Sequence, residues 1–246
     1  MKLSWRATLL VLIAVAAAFF LASRFRPRPI AAELLRDESI AVDGVVRRFR
    51  LVIPHATAQG PVPLVIAFHG MGDSSESMAA YSKLDGLAAE KGFLLVYPAA
   101  ARSMWGTVNV DLESLDEHAD VRFFDELLVE LGTRFELDHN RIYVIGMSNG
   151  ASFAQLLASA RRNVVAVVAH SGAPPREVFR PSHSFPVLLL VGEDDPAFDA
   201  MLNGAADYRE RGHPAEFTSV PGLGHEWSTS HNSTIWDFLS AQKRDR

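Results

Sequence analysis

Residues 141–160 read Arg-Ile-Tyr-Val-Ile-Gly-Met-Ser-Asn-Gly-Ala-Ser-Phe-Ala-Gln-Leu-Leu-Ala-Ser-Ala. The stretch Arg141–Ile145 is a short, nearly continuous apolar run, the pattern of a strand covered on both faces. From Asn149 to Arg162 the apolar residues recur at helical spacing. Between them lies Gly146-Met147-Ser148-Asn149-Gly150, a G-x-S-x-G string at a predicted strand-to-helix turn. A serine on so sharp a turn leaves no room for neighbouring side chains, which explains the flanking glycines. The first amides of the helix would face any negative charge developing beside that serine. Ser148 is the candidate nucleophile.

Outward from this turn, apolar runs and helical patterns alternate. Strands are expected at Val45–Ile53, Leu64–Phe68, Phe93–Tyr97, Val164–Ala169, Val187–Val191 and Ala215–Val220. Helices are expected at Ser77–Lys91, Asp120–Phe135, Ala197–Arg211 and His231–Lys243. Such alternation predicts βαβ units and a doubly wound, mostly parallel α/β sheet. The connections are short, leaving room for a minimal cap domain or none.

A serine attacks only when a base removes its proton, and the base needs an acid to fix its tautomer. On α/β-hydrolase scaffolds the chain order is serine, acid, histidine. After Ser148, the run Val187–Val191 ends in Gly192-Glu193-Asp194-Asp195-Pro196. An acid there lies on the sheet edge that presents Ser148. Asp195 is favoured because its place before Pro196 keeps it in a loop; Glu193 and Asp194 are alternatives. Among nine histidines, His225 is the candidate base. It sits in the glycine-rich Pro221-Gly222-Leu223-Gly224-His225, with His231 as its rival at the start of the last helix. His69-Gly70-Met71-Gly72 ends the Leu64–Phe68 run and nominates the backbone N–H of Met71, with that of Asn149, as oxyanion donors. His69 itself is expected to brace the loop.

Composition narrows the field further. Hydrophobic residues make up 48% of the 246 and the formal net charge is −5, which excludes a disordered chain. Cysteine is absent, so disulfides, cysteine-ligated metals and a cysteine nucleophile are excluded as well. A sequence pI near 6.0 offers no general attraction to nucleic acid. Residues 7–22 read ATLLVLIAVAAAFFLA after Lys2 and Arg6, as in a signal anchor or a signal peptide. The expected organisation is therefore an exporting or membrane-anchoring segment over 1–22, a linker over 23–42 and a catalytic domain over 43–246. Export places the domain in the periplasm or outside the cell.

The span Asp120–Ala158, the His-Gly loop, Gly92–Pro98, Gly192–Pro196 and the G-x-G-H-x-W segment at 222–227 resemble, in order, the polyhydroxybutyrate depolymerase and feruloyl esterase group of α/β hydrolases. The resemblance covers roughly residues 45–242. It implies an α/β-hydrolase fold, Ser148, Asp195 and His225 as catalytic residues, Met71 and Asn149 as oxyanion amides, and no metal or organic cofactor. It implies a small or polymeric ester as substrate. Trp105 is expected on a loop over the site, either stacking on an aromatic or sugar group or covering apolar surface. The leading expectation is a serine carboxylesterase. A peptidase or amidase with the same residues, or a retired membrane-anchored binding protein, are the alternatives.

Overall fold

The structure, a computed structural model, describes residues 30–55, 60–108, 110, 112–175 and 183–244. Residues 31–246 form one compact unit. Its strands are β1 (Ala32–Val42), β2 (Val45–Pro54), β3 (Val62–Phe68), β4 (Leu94–Pro98), β5 (Leu137–Met147), β6 (Ala166–His170), β7 (Val187–Gly192) and β8 (Ala215–Val220). They form one sheet in the order β1-β2-β4-β3-β5-β6-β7-β8. β2 runs antiparallel to β1 and to β4, and all other pairs are parallel.

Among the described residues the α-helices are α1 (Ser75–Ser82), α2 (Leu84–Lys91), α3 (Ala119–Arg134), α4 (Asn149–Ala160), α5 (Phe198–Glu210) and α6 (Asn232–Ala241). They cover both faces, which is why the central strands are apolar throughout rather than alternating. Phe123, Phe124, Phe153, Met201 and Tyr208 pack with Leu64, Ile66 and Val144 on one face. Met78, Leu84, Ile235 and Leu239 pack with Val65, Tyr143 and Leu190 on the other. On β2 two buried arginines point to opposite faces, following the two-residue period of a strand. Arg47 bonds Asp120 of α3 at 2.7 Å, with its guanidinium 4.1 Å from the Phe123 ring centre. Arg50 pairs with Asp85 of α2 and reaches Glu76 of α1.

Two expectations need correction. Residues 32–42, read as the end of a linker, are strand β1, paired with β2 from Ala32↔Pro54 to Val42↔Val45 with a register shift between Leu35 and Glu38. An outermost strand keeps one face half wet, so Ala32–Val42 mixes charges with apolar residues and breaks its own alternation at the bulge. The helix expected over 77–91 is two helices. Lys83, with φ 57°, turns the chain between them while its N–H still bonds the Ala79 carbonyl. The apolar segment 1–22 lies outside the described residues. Among those described, no helix is long and apolar enough to cross a membrane.

Candidate active site

β5 delivers its last residues to a turn in which Ser148 holds φ 55° and ψ −121° immediately before α4. This strained geometry is possible because nothing crowds it. A Cβ on Gly146 would collide with the carbonyl of Gly150, and one on Gly150 with that of Phe68. The Ser148 N–H bonds the His170 carbonyl at 2.9 Å, so the turn hangs from the end of β6.

The loop after β7 carries Asp195, which is buried, whereas Glu193 and Asp194 are exposed. Asp195 Oδ1 accepts from the Ala197 N–H at 2.8 Å. Both of its oxygens lie 3.0 Å from His225 Nδ1. Burial works against ionisation of Asp195. The Ala197 amide, the Ser171 hydroxyl and His225 outweigh it and hold the carboxyl below its ordinary pKa. An ionised Asp195 can only accept, so His225 Nδ1 carries the proton and Nε2 is left free. That Nε2 lies 2.9 Å from Ser148 Oγ. The loop bearing His225 is tied to the acid loop by the Asp194 N–H, which donates to the Leu223 carbonyl at 3.0 Å. The structure thus brings Ser148, Asp195 and His225 into one hydrogen-bonded chain. His231 is held elsewhere, its Nδ1 2.7 Å from Ser228 Oγ.

The loop after β3 closes the other side of Ser148. A Cβ on Gly70 would stand 3.4 Å from that of Ser148. His69 braces this loop from below: Nδ1 donates to the Gly70 carbonyl at 2.7 Å and Nε2 accepts from the Ala100 N–H at 3.1 Å. Burial lowers its pKa, with the Gly70 carbonyl partly offsetting this, so the ring is neutral. Met71 projects into solvent beside the site, and Asn149 opens α4.

Trp105 is not placed to touch a substrate. It is fully buried, stacked 5.1 Å from Phe153 and edge-on at 4.9 Å to Phe68. Its Nε1–H donates to the His69 carbonyl at 3.0 Å. An indole among apolar rings, with its one donor satisfied, gains more from the core than from a solvent-facing loop. The aromatic groups that do line the site are Tyr81 and Trp227, the latter stacked on His170 at 4.7 Å. The G-H-x-W position of Trp227 was visible in the sequence, but its direction depended on the base loop.

A pocket of about 450 Å³ opens over Ser148 and His225. Its walls include Met71, Asp73, Tyr81, Glu226 and Trp227, and among the described residues no lysine or arginine. Burial, then the neighbouring Asp73 carboxylate, push the Tyr81 hydroxyl well above its ordinary pKa, so it stays a phenol. Among the described residues no group of three His, Cys, Asp or Glu could hold a metal ion.

A mostly parallel eight-stranded sheet in the order 1-2-4-3-5-6-7-8, with a strained serine between β5 and the next helix, defines an α/β-hydrolase fold. The profile of the family described as Esterase PHB depolymerase matches residues 48–217, and the chain belongs to that family. NocK of Nocardia uniformis subsp. tsuyamanensis, whose name calls it an esterase, is 32% identical over 200 residues, covering 75% of this chain and 57% of that protein. Feruloyl esterase B of Piromyces equi is 24% identical over 185 residues, covering 72% of this chain and 34% of that protein. The chain therefore spans little more than half of one relative and about a third of the other. The structure of FphF, a fluorophosphonate-binding serine hydrolase of Staphylococcus aureus, matches with a TM-score of 0.69 at 12% identity. That match covers 85% of this chain and 98% of the other, and is a likeness of fold.

Proposed function

We propose that the chain is a carboxylic ester hydrolase that works through an acyl-enzyme on Ser148. The observation that carries this reading is the chain from Ser148 Oγ through His225 to Asp195, at 2.9 Å and 3.0 Å, opening on a pocket. Membership of an esterase family supports the ester as the bond attacked.

In this reading the Ser148 oxygen attacks the ester carbonyl carbon while its proton passes to His225 Nε2. Asp195 stays ionised and stabilises the imidazolium that forms. The carbonyl oxygen, now negative, rests against the backbone N–H groups of Met71 and Asn149. Collapse of the tetrahedral adduct breaks the bond to the alcohol oxygen, which takes the proton from Nε2. Water then enters, gives a proton to the same Nε2, and its oxygen attacks the acyl carbon. Breakdown of the second adduct returns that proton to Ser148 and releases the acid.

The pocket wall favours uncharged or cationic esters over anionic ones, since Asp73 and Glu226 stand at it and no lysine or arginine among the described residues lines it. The apolar stretch at residues 7–22, preceded by Lys2 and Arg6, supports export or membrane anchoring of the domain. The test is Ser148→Ala against a short-chain chromogenic ester and its amide counterpart. The reading expects loss of turnover by on the order of 10⁴-fold or more, labelling of the parent alone by a fluorophosphonate, and esters cleaved faster than amides. Retained activity in the alanine variant overturns it.

A further inference from the structure

Asp120 stands in the first turn of α3, where an acid ordinarily complements the positive end of the helix. Here both of its oxygens are committed outside the helix. Oδ1 accepts from Arg47 Nη2 of β2 at 2.7 Å. Oδ2 accepts from the backbone N–H of Gly106 at 3.0 Å. The pair is withdrawn from water, the side chain of Arg47 being 4% exposed and that of Asp120 12%. Arg47 is fixed in turn: Nη1 donates to the Ala119 carbonyl at 3.3 Å, and the guanidinium lies over the Phe123 ring. The carboxylate is therefore oriented by donors on two sides, one on each oxygen.

The segment that Asp120 holds is the one on which both proposed oxyanion loops rest. Residues 99–107 follow β4 outside any helix or strand. The Ala100 N–H donates to His69 Nε2 at 3.1 Å, and the Ser103 carbonyl accepts from the Gly72 N–H at 2.7 Å, so the loop bearing Met71 hangs from this segment. The Trp105 carbonyl and the Gly106 N–H belong to one rigid peptide unit. That unit is held at both ends: Asp120 takes its N–H, and Asn149 Nδ2 donates to its carbonyl. A Cβ on Gly106 would meet His118 Nε2 at 2.6 Å and Asp120 Oδ2 at 3.6 Å, so glycine is what lets the backbone come this close.

We propose that Asp120, set in place by Arg47, is a positioning residue for the oxyanion hole of the esterase reaction: it fixes the Trp105–Gly106 peptide, and through that peptide the start of α4 and the Met71 loop. This inference rests on the proposed mechanism at Ser148, with Met71 and Asn149 as donors. The buried indole pins Trp105 in the core, but a side chain alone leaves the peptide plane beyond it free to turn. The Asp120 carboxylate removes that freedom. An oxyanion donor works only where the negative oxygen will be, and a misplacement of about 1 Å can cost on the order of 100-fold in rate.

The experiment compares two double variants of the full chain, Arg47→Met with Asp120→Asn and Arg47→Met with Asp120→Ala. Both remove the buried ion pair, so neither leaves a lone buried charge. They differ in the acceptor: asparagine keeps a carbonyl oxygen for the Gly106 N–H, and alanine has none. The readouts are kcat and KM on one short-chain ester and the inhibition constant of a trifluoromethyl ketone, whose adduct on Ser148 carries the oxyanion. The alanine pair is expected to fall about tenfold below the asparagine pair in kcat and to bind the ketone about tenfold more weakly, with KM within about twofold. The asparagine pair should stay within about threefold of the parent in kcat. Equal kcat and equal ketone affinity in the two pairs overturn the proposal, as does a loss confined to KM. If thermal melting shows the alanine pair unfolded, Asp120→Leu in the Arg47→Met background, which fills the space without an acceptor, decides by the same criteria. Activity surviving Ser148→Ala would instead sink the mechanism beneath the inference, so the two failures are separable.

Discussion

Trp105 and Asn149 exchange a pair of hydrogen bonds: the Trp105 N–H donates to Asn149 Oδ1 at 2.8 Å, and Asn149 Nδ2 returns one to the Trp105 carbonyl at 3.1 Å. Asn149 Nδ2 also reaches Thr107 Oγ1 at 3.1 Å. The residue after the proposed nucleophile thus holds the 105–107 segment, and the indole of Trp105 holds the loop after β3. Both proposed oxyanion donors are located by this one junction.

Asn149→Ala should accordingly cost more than a helix-start substitution. It strands the polar groups of a part-buried segment, at about 1–3 kcal/mol. It should also lower kcat by tenfold or more, because the Met71 loop loses its seat. Chemical denaturation and steady-state kinetics on one preparation check both halves.

Trp105→Phe separates the core role from substrate stacking. Phenylalanine keeps most of the packing against Phe153 but drops the bond to the His69 carbonyl. A loss of about 1–2 kcal/mol in stability with KM unchanged across aromatic and aliphatic esters is expected. A KM that rises only for aromatic esters would return Trp105 to the substrate.

Asp195→Asn tests the acid directly. An amide can present its NH₂ to His225 and stabilise the wrong tautomer, and a fall in kcat of about 10⁴-fold is expected. The equivalent changes at Glu193 and Asp194, which are exposed, should leave kcat within about twofold.

Acid should destabilise the fold before most carboxylates titrate. Burial pushes His170 from 6.5 down to about 3, and burial likewise lowers His69. Below 6.5 the unfolded chain takes up a proton that the folded His170 refuses. The stability is therefore intact above 6.5 and is lost progressively as pH falls toward 3. The full loss from His170 is about 5 kcal/mol. Urea midpoints between pH 7.5 and pH 4 should fall steadily, and His170→Gln should flatten that slope.

Replacing Asp73 probes the pocket charge. Asp73→Asn should raise the relative rate on an ester bearing a carboxylate in its acyl chain, by about threefold to tenfold against its uncharged analogue. An unchanged ratio would place the acyl chain on another wall.

The parts of the fold legible in the sequence are those where one signal suffices. β3, β7 and the second half of β5 from Ile142 are covered on both faces, so each reads as an apolar run. The turn at Ser148 announces itself through Gly146 and Gly150, because only glycine fits there. β1 was missed because a strand with one wet face and a bulge carries no clean period. The break at Lys83 was missed because a lysine in the left-handed region leaves no compositional mark. Within the site, the order of Ser148, Asp195 and His225 along the chain is a one-dimensional property and could be read. The directions of Trp105 and Trp227, and the joining of His170 to Ser171 and Ser228, arise where three strand ends meet. No spacing encodes them.

The strand at residues 32–42 also decides where this protein can be cut. Trimming the chain at residue 43 would strip β2 of its neighbour from Val45 to Pro54 and leave a row of bare amides and carbonyls beside an apolar face. Such an edge recruits other copies. A fragment that begins at residue 31 should remain monodisperse in solution, and one that begins at 43 should aggregate, although both retain every residue proposed for the chemistry.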